Sequence, residues 1–363
     1  MKHIENICIK HYIYFIEGSV YMAVTFKDVA KLAGVSPSTV SRVCNDNPAI
    51  SRETRERVQK AMSQLGYESP SGSNDAQPNT SVKMIGIILP PSQVDVYDNT
   101  FYLKAIRGIS RFCNQQQVAT NVITGKDYEE ILLSIQTLHR SGMADGFILL
   151  YSFKDDIVVD YLCENGLLYV IVGKANELAN QTISIDNDNL LAGREATDYL
   201  YDLGHRRIGF IGGKTEFMHA SDRQAGYQLS CLLHGLPANP NYCIEMDGLW
   251  SNDNQELKQL LQSPERPTAF VVGDDLLALA LERVCGQMNL SIPEDVSIIA
   301  FNNSLYAQLT SPQLTAVDIN SYHLGREAAN QILNHSEDPN LTAAKTIIPH
   351  TIVERSSCKT MEV

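Results

Sequence analysis

Residues 25–67 read TFKDVAKLAGVSPSTVSRVCNDNPAISRETRERVQKAMSQLGY. Phe26, Val29, Ala30 and Ala33 stand at i, i+3, i+4 and i+7, one face of a short helix that stops at Gly34. Ser36 followed by Pro37 is a start signal, because the Ser side chain can cap free amides and Pro suits the first helical position. A second helix is therefore expected from Pro37 to about Cys44. The link Ala33-Gly34-Val35-Ser36 is a tight turn, and Val35, Val40 and Val43 supply the apolar contacts that set the two helices across one another. A third helix begins after Ser51, and its Val58, Ala61, Met62 and Leu65 repeat the spacing before Gly66. The spacing predicts a helix-turn-helix closed by a third helix, with Ser38, Thr39, Ser41 and Arg42 on the exposed side of the second. A polar face by itself would fit any three-helix bundle.

This run closely resembles the headpiece of the lactose-repressor/galactose-repressor family, whose DVAxxAGVSxxTVSRVxN pattern is highly specific. The resemblance implies DNA binding. It places Pro37, Ser38 and Arg42 where base edges are read in the major groove, and Thr25, Ser36, Thr39, Asn45, Ser51 and Thr54 where phosphate is held. The chemistry agrees: Arg can bridge guanine O6 and N7, whereas short hydroxyl and amide side chains near helix starts suit phosphate oxygens and fix register. Pro37 cannot hydrogen-bond a base, so specificity should lean on Ser38 and Arg42.

The charge is distributed to match. The whole chain of 363 residues carries a net charge of −13, yet residues 24–70 hold seven Lys/Arg against five Asp/Glu. A mildly basic end on a strongly acidic body can approach phosphate while the rest is repelled from it. Residues 1–23 sum to zero charge, and Lys10, His11 and Glu17 interrupt their apolar stretches. Neither a signal peptide nor a membrane span is expected there. Met22 reads as the start of translation, with the preceding segment a disordered tail or an annotation extension.

Eight cysteines are scattered as Cys8, Cys44, Cys113, Cys163, Cys231, Cys243, Cys285 and Cys358, with no CxxC pair and no His cluster at metal-ligand spacing. They are expected to be reduced thiols in a cytoplasmic protein, with no metal and no cofactor. With 44% hydrophobic residues the chain can bury a large core.

Residues 68–82, ESPSGSNDAQPNTSV, are rich in Ser, Asn, Gly and Pro and read as a connector. The resembled family places here a short hinge helix whose Leu wedges into the minor groove. This chain has no such Leu; Ala76 stands in its place, with Gly72 and Pro78 disfavouring helix on either side. A plain spacer and a weak hinge that folds only on DNA both remain open.

From Met84 onward, short apolar runs alternate with helical stretches. The runs are Ile85–Leu89, Val118–Thr124, Phe147–Tyr151, Leu168–Val172, Ile208–Ile211, Ala269–Val272 and Val296–Phe301, and Glu129–Leu138 and Leu276–Met288 are among the helical segments. Such βαβ alternation predicts an α/β core of parallel sheets flanked by helices. The strands are too many for one comfortable sheet, and 184–189 and 314–320 read as crossings between two lobes. Ligands in open α/β sheets bind beyond the carboxyl ends of strands. Polar clusters fall there: Gly173-Lys174, Gly212-Gly213, Gly273-Asp274-Asp275 and Asn302-Asn303.

The core also resembles that family, in its periplasmic-binding-protein-like sensor, through LGHRRIGFIGG at 203–213 and the VGDD and FNNS segments, so the likeness spans about residues 24–355. Within the family it is most similar to the maltose-operon repressors of Gram-positive bacteria, through ITGKD, GFILLY, IVGK, DNDN, SDR and VDIN. The resemblance implies a sugar effector. It makes Arg223 the leading ligand, since a guanidinium fork can bond adjacent hydroxyls. Asp274, Asn302 and Lys174 follow from matching positions, with strand-end capping the plainer role for Asp and Asn. Trp250, Phe101 and Tyr102 could stack on a sugar ring or simply pack in the core. Asp186 and Asp188 could touch the ligand or brace the crossing.

These readings divide the chain into an extension at 1–23, a DNA-binding domain at 24–67, a linker at 68–83, a two-lobed domain at 84–355 and a tail at 356–363. The first lobe is expected over about 84–184 and 316–340, the second over about 186–313 and 341–355. Two headpieces on a symmetric homodimer would require a nearly palindromic operator, and the lack of a leucine heptad tail argues for a dimer over a tetramer. No GxGxxG follows a strand, GGKT at 212–215 lacks the earlier Gly of a phosphate loop, and no GxSxG elbow occurs, so no enzyme is expected. A free sugar-binding transport protein would share the core but have no use for a headpiece. The alternative within the family is a global carbon-catabolite regulator that answers a phosphoprotein partner.

Overall fold

The computed structural model describes residues 15–16, 19–20, 26–36, 39–40, 43, 50–65, 84–91, 99–176, 179–237, 239–246 and 254–361. The chain divides into two compact units, Met1–Asn79 and Thr80–Val363.

In the first unit, β1 (Phe15–Ile16) and β2 (Ser19–Val20) pair antiparallel within the segment expected to lack structure. Helix α1 (Phe26–Ala33) ends where Gly34 turns to φ +64°, and Val35 N donates back to Ala30 O at 3.0 Å. That left-handed residue is why the short turn needs glycine. Thr39, Val40 and Val43 are helical, and α2 (Arg52–Leu65) follows Ser51. Val29, Ala30, Val40, Val43, Val58 and Ala61 are buried together, with Val35, Met62 and Leu65 against them. The apolar stripe read from the sequence is thus the core of this unit. The hinge at 68–83 lies outside the described residues.

The second unit is built on two six-stranded sheets. The first comprises β3 (Met84–Ile88), β4 (Ala119–Ile123), β5 (Gly146–Leu149), β6 (Tyr169–Val172), β7 (Ile183–Asp186) and β13 (Lys345–Ile347), in the order β13-β7-β6-β5-β3-β4, all parallel. The second comprises β8 (Ile208–Gly212), β9 (Cys243–Glu245), β10 (Ala269–Val272), β11 (Ser297–Phe301), β12 (Thr315–Asp318) and β14 (Thr351–Val353), in the order β14-β12-β11-β10-β8-β9, with only β14 antiparallel. Buried clusters lie on both faces of each sheet. This is why the strands read as unbroken apolar runs.

The helices of this unit are α3 (Thr100–Gln115), α4 (Tyr128–Arg140), α5 (Ile157–Glu164), α6 (Asn189–Asp202), α7 (Met218–Leu233), α8 (Gln255–Gln262), α9 (Asp275–Gln287), α10 (Leu305–Leu309) and α11 (Ser321–Glu337). The two lobes repeat one packing device. In the first lobe α3 meets α11 through Gly108 and Gly325, whose added Cβ atoms would stand 2.2 Å from Tyr322 O and 2.1 Å from Ala105 O. In the second, α6 meets α7 through Gly193 and Gly226 in the same way.

The lobe boundaries differ from expectation in two places. Residues 315–318 continue the second sheet through β11, so the chain crosses at 319–320, and residues 345–347 close the first sheet against β7, so the last crossing lies at 348–350. Strand β13 is short and largely exposed, so it carries no apolar alternation to reveal it. Residues 356–361 are not a tail. Ser357 is buried; its Oγ accepts from Thr315 N at 2.8 Å and donates to Ile298 O at 2.6 Å, and Met361 N donates to Leu203 O at 2.7 Å.

Asn187 ties the three crossings together, donating from Nδ2 to Ile319 O at 3.1 Å and to Ile348 O at 2.8 Å. Ile348 N returns a bond to Asp186 O at 2.8 Å, and Asn320 Nδ2 reaches Pro349 O at 2.7 Å.

Candidate functional site

Four of the described hydroxyls of the first unit form two matched pairs. Ser36 Oγ lies 2.8 Å from Thr39 Oγ1 and accepts from Thr39 N at 3.2 Å. Ser51 Oγ donates to Thr54 Oγ1 at 2.9 Å and accepts from Thr54 N at 3.3 Å. Each pair sits at the first turn of a helix, where unpaired amides and the macrodipole favour an anion. Thr25, Pro37, Ser38, Arg42 and Asn45 lie outside the described residues.

In the second unit, strand ends from both sheets converge on a cleft of about 590 Å³ that opens to solvent. It brings together Phe101, Tyr102, Asp186, Arg223, Asp274 and Asn302. Lys174 is not among its lining residues: Nζ is held by Asp222, 3.0 Å from Oδ1, while Gly173 beside it reaches the wall. The strand end was read correctly, but the long side chain found a nearer carboxylate. Trp250 lies outside the described residues.

Arg223 is the centre of the arrangement. It is carried on α7 and is 4% exposed. Nε donates to Asn189 Oδ1 at 2.9 Å, Nη1 donates to Gly273 O at 2.7 Å, and the guanidinium carbon stands 4.1 Å from the centre of the Phe301 ring. Burial lowers its pKa to about 10, against the opposing pull of Asp274, Asp186 and Asp275, so it stays charged at neutral pH. Nη2 donates no hydrogen bond among the described residues, which leaves that edge of the fork for a ligand.

Asp186 Oδ1 accepts from Asn187 N at 2.8 Å and from Asn189 Nδ2 at 3.0 Å. Burial pushes its carboxyl up to about 6, opposed chiefly by the Asn187 amide. Asp274 plays the plainer of the roles weighed for it, since Oδ1 accepts from Leu277 N at 2.8 Å and caps α9, and the residue also lines the cleft. Its carboxyl is raised by burial and lowered by that cap and by Arg223. Asn302 is buried at φ +89°, a left-handed residue followed by another, Asn303 at φ +46°. Asn tolerates that region better than bulkier side chains, and Asn302 N is satisfied by Val317 O at 3.0 Å.

Facing these from the first lobe, Asn99 caps α3 by accepting from Phe101 N at 3.0 Å. Phe101 and Tyr102 meet edge to face at 5.2 Å, and Phe101 packs against buried clusters of both lobes. Across the opening, Met218 N donates to Ser152 O at 3.2 Å, and Lys104 Nζ donates to Asn303 O at 2.9 Å.

Asn189, Phe301, Tyr151 and Asn187 were missed from the sequence. The signal for two of them was present in DNDN at 186–189. Asp186 forms the wall, Asn187 the hinge and Asn189 the support for Arg223, while Asp188 caps α6 by accepting from Leu191 N at 2.9 Å. Nothing in the sequence distinguishes Phe301 from the other apolar residues of its strand.

A single cation set among carboxylates, amides and aromatic rings suits a neutral polyhydroxylated ligand better than an anion, which would meet Asp186 and Asp274. Among the described residues no group of three or more His, Cys, Asp or Glu could hold a metal ion, and no helix is long and apolar enough to cross a membrane.

Comparison with known proteins extends these observations. Residues 25–70 match the model for bacterial regulatory proteins of the lacI family, and residues 197–358 match a periplasmic binding protein-like domain. The chain is 34% identical over 341 residues to the HTH-type transcriptional regulator MalR of Streptococcus pneumoniae, covering 92% of this chain and all of that protein. It is 33% identical to MalR of Staphylococcus xylosus, covering 93% of this chain and 99% of that one. A solved LacI transcriptional regulator from Bacillus cereus subsp. cytotoxis superimposes with a TM-score of 0.74 at 33% identity, covering 78% of this chain and 100% of that structure.

Proposed function

The chain belongs to the lacI family of bacterial regulatory proteins, and from that we propose that it is a homodimeric repressor of sugar-utilisation genes whose operator binding is relieved by a neutral sugar in the Arg223 cleft. The effector in this reading is maltose or a related α-glucoside, because two of the relatives reported above are named MalR and a solved structure 28% identical to this chain is described as a probable maltose operon transcriptional repressor malR. The observation that carries the proposal is the buried Arg223 fork, held by Asn189 and Gly273 with one edge left for a ligand.

Operator specificity falls to Ser38 and Arg42 with Pro37 beside them, and phosphate is held by Thr25, Ser36, Thr39, Asn45, Ser51 and Thr54. The two headpieces of a dimer would occupy half-sites about one helical turn apart. Sugar entering the cleft touches side chains of both lobes and so favours one arrangement of them, which changes how the paired headpieces are presented. Only the difference in sugar affinity between the two arrangements can drive that shift.

Gel shift on the DNA upstream of the chain's own gene, with and without a panel of α-glucosides, tests the reading. A palindromic duplex should be retarded by the protein and released by one of the sugars. Failure to retard any palindromic duplex at modest salt would overturn the repressor reading. Retardation that responds to a phosphoprotein and to none of the sugars would instead identify a catabolite regulator.

A further inference from the structure

Helix α7 carries the Arg223 fork in the second lobe, and its first turns are tied to the rim of the first lobe. The rim is a single packed piece, because the loops after β5 and β6 lie against each other. Ser152 Oγ donates to Lys174 O, and a Cβ added at Gly173 would stand 2.9 Å from Ser152 Cβ. Met218 N donates across to Ser152 O at 3.2 Å. Phe153 and Phe217 pair as an antiparallel bridge and meet edge to face at 5.5 Å. The third tie is ionic: Lys174 Nζ reaches both oxygens of Asp222, at 3.0 and 3.1 Å.

Charge sets this tie apart from the other two. A neutral hydrogen bond and a ring contact hold only at close range, whereas opposite charges attract across an opening gap and are weakened by salt. The Lys174 side chain is 42% exposed and that of Asp222 18%, so the pair is only partly desolvated and open to screening. Lys174 also cancels a repulsion. The Asp186 carboxyl, on the first lobe, is raised by burial first, and the Asp222 charge adds to that rise. Without Lys174 the two carboxylates would repel each other from opposite lobes.

Lys174 follows a strand end as a ligand residue would, but its ammonium is committed to Asp222, next to Arg223 in the sequence. We infer that Lys174 and Asp222 form an electrostatic latch between the lobes, which populates the closed arrangement before any ligand enters the cleft. A ligand's differential affinity then has less of the closure to supply. The latch goes beyond the sugar reading of the cleft and does not depend on it.

Met218 provides the probe. Its amide lies in the first turn of α7, where N–H groups have no partner within the helix, so its protection from exchange rests on Ser152 O across the cleft. Met246 N, bonded to Gly212 O at 2.9 Å inside the second lobe, is the control. Hydrogen exchange is followed on the ligand-free full chain carrying isotope-labelled methionine, for wild type, Lys174→Met, Asp222→Asn and the double variant. Each single substitution should speed Met218 exchange roughly two- to fivefold, the worth of a partly exposed ion pair, and leave Met246 unchanged. The double variant should exchange no faster than the faster single one, because the two side chains act on each other. Raising the salt from about 20 mM to about 500 mM should speed Met218 exchange in wild type and not in the variants. Exchange at Met218 that ignores both substitutions and salt, or single effects that multiply in the double variant, would overturn the latch.

Discussion

Gly193 lies directly against the backbone of Arg223: a Cβ at position 193 would stand 2.2 Å from the Arg223 carbonyl oxygen and 3.0 Å from its Cα. The absence of a side chain there lets α6 approach α7, and that approach brings Asn189, at the start of α6, to the Arg223 guanidinium. Gly193→Ala should force the helices apart, cost about 1–3 kcal/mol as an overpacked contact and weaken sugar release of the operator. Urea unfolding and an operator-release titration check both. Unchanged stability together with unchanged release would refute the coupling.

Arg223→Lys keeps a charge and loses the fork. A single ammonium cannot reproduce the geometry that joins Asn189, Gly273 and the Phe301 ring. Operator affinity without sugar should be retained, while half-maximal release should need roughly 10- to 100-fold more sugar, the equivalent of one charged hydrogen bond of about 1.5–3 kcal/mol. Release at the wild-type sugar concentration would remove Arg223 from the effector site.

Much of this architecture could be read without coordinates, because strands buried on both faces must be apolar throughout. Ala269–Val272 was placed to the residue, and Ile208–Ile211 and Val296–Phe301 to within one. What escaped detection was structure whose determinants are distant in sequence. Strand β13 is fixed by pairing with β7, not by its own pattern. Ser357 is locked by Thr315 and Ile298, about 40 and 60 residues away, which no local window senses. Of the cleft residues, those following strand ends were legible by position and Asn189 lay within the DNDN run, whereas Phe301 became visible only once Arg223 was placed against its ring.

Asn187→Ala tests the hinge. Asn187 is 3% exposed, and its amide serves one carbonyl on each of the other two crossings. Removing it leaves two carbonyls unsatisfied and should cost about 1–3 kcal/mol. Sugar should still bind, but it should release operator incompletely, because the lobes no longer turn about one fixed joint. The check is to compare calorimetric sugar affinity with the plateau of operator release. A normal plateau would show that the bond braces the fold without transmitting the signal.

Glu282 offers a test in pH. Burial pushes its carboxyl from the ordinary value of 4.5 up to about 7, and Oε1 is buried without a hydrogen-bond partner. Asp186 and Asp275 are likewise pushed up to about 6, again by burial first. A raised carboxyl binds its proton more tightly folded than unfolded, so its stabilisation is complete below the unfolded pKa and is lost as pH rises through the folded one. The contribution of these carboxyls should therefore fall between about pH 4 and pH 7, against an opposite contribution from His205 and His219, which desolvation lowers to about 4 and about 3. Glu282→Gln should match wild type near pH 4 and exceed it by roughly 1–3 kcal/mol near pH 8. Denaturation at the two pH values decides it, and a variant no more stable at the higher one would show that Glu282 is solvated or paired in solution.

The last prediction concerns Arg42, which lies outside the described residues and is argued from its place in the SPSTVSR run. Ser36 and Thr39, on the same run, form a hydroxyl pair suited to phosphate, which holds register without reading sequence. Discrimination between bases must then come from the longer side chain, and Arg reaches guanine bidentately. Arg42→Ala should lose about 1–3 kcal/mol on the specific operator and little on random duplex, whereas Thr39→Ala should weaken both alike. Gel shifts on operator and scrambled DNA at one fixed salt concentration separate the two, since electrostatic binding changes steeply with salt. If Arg42→Ala weakened both duplexes by the same factor, Arg42 would be a phosphate contact and base reading would pass to Ser38.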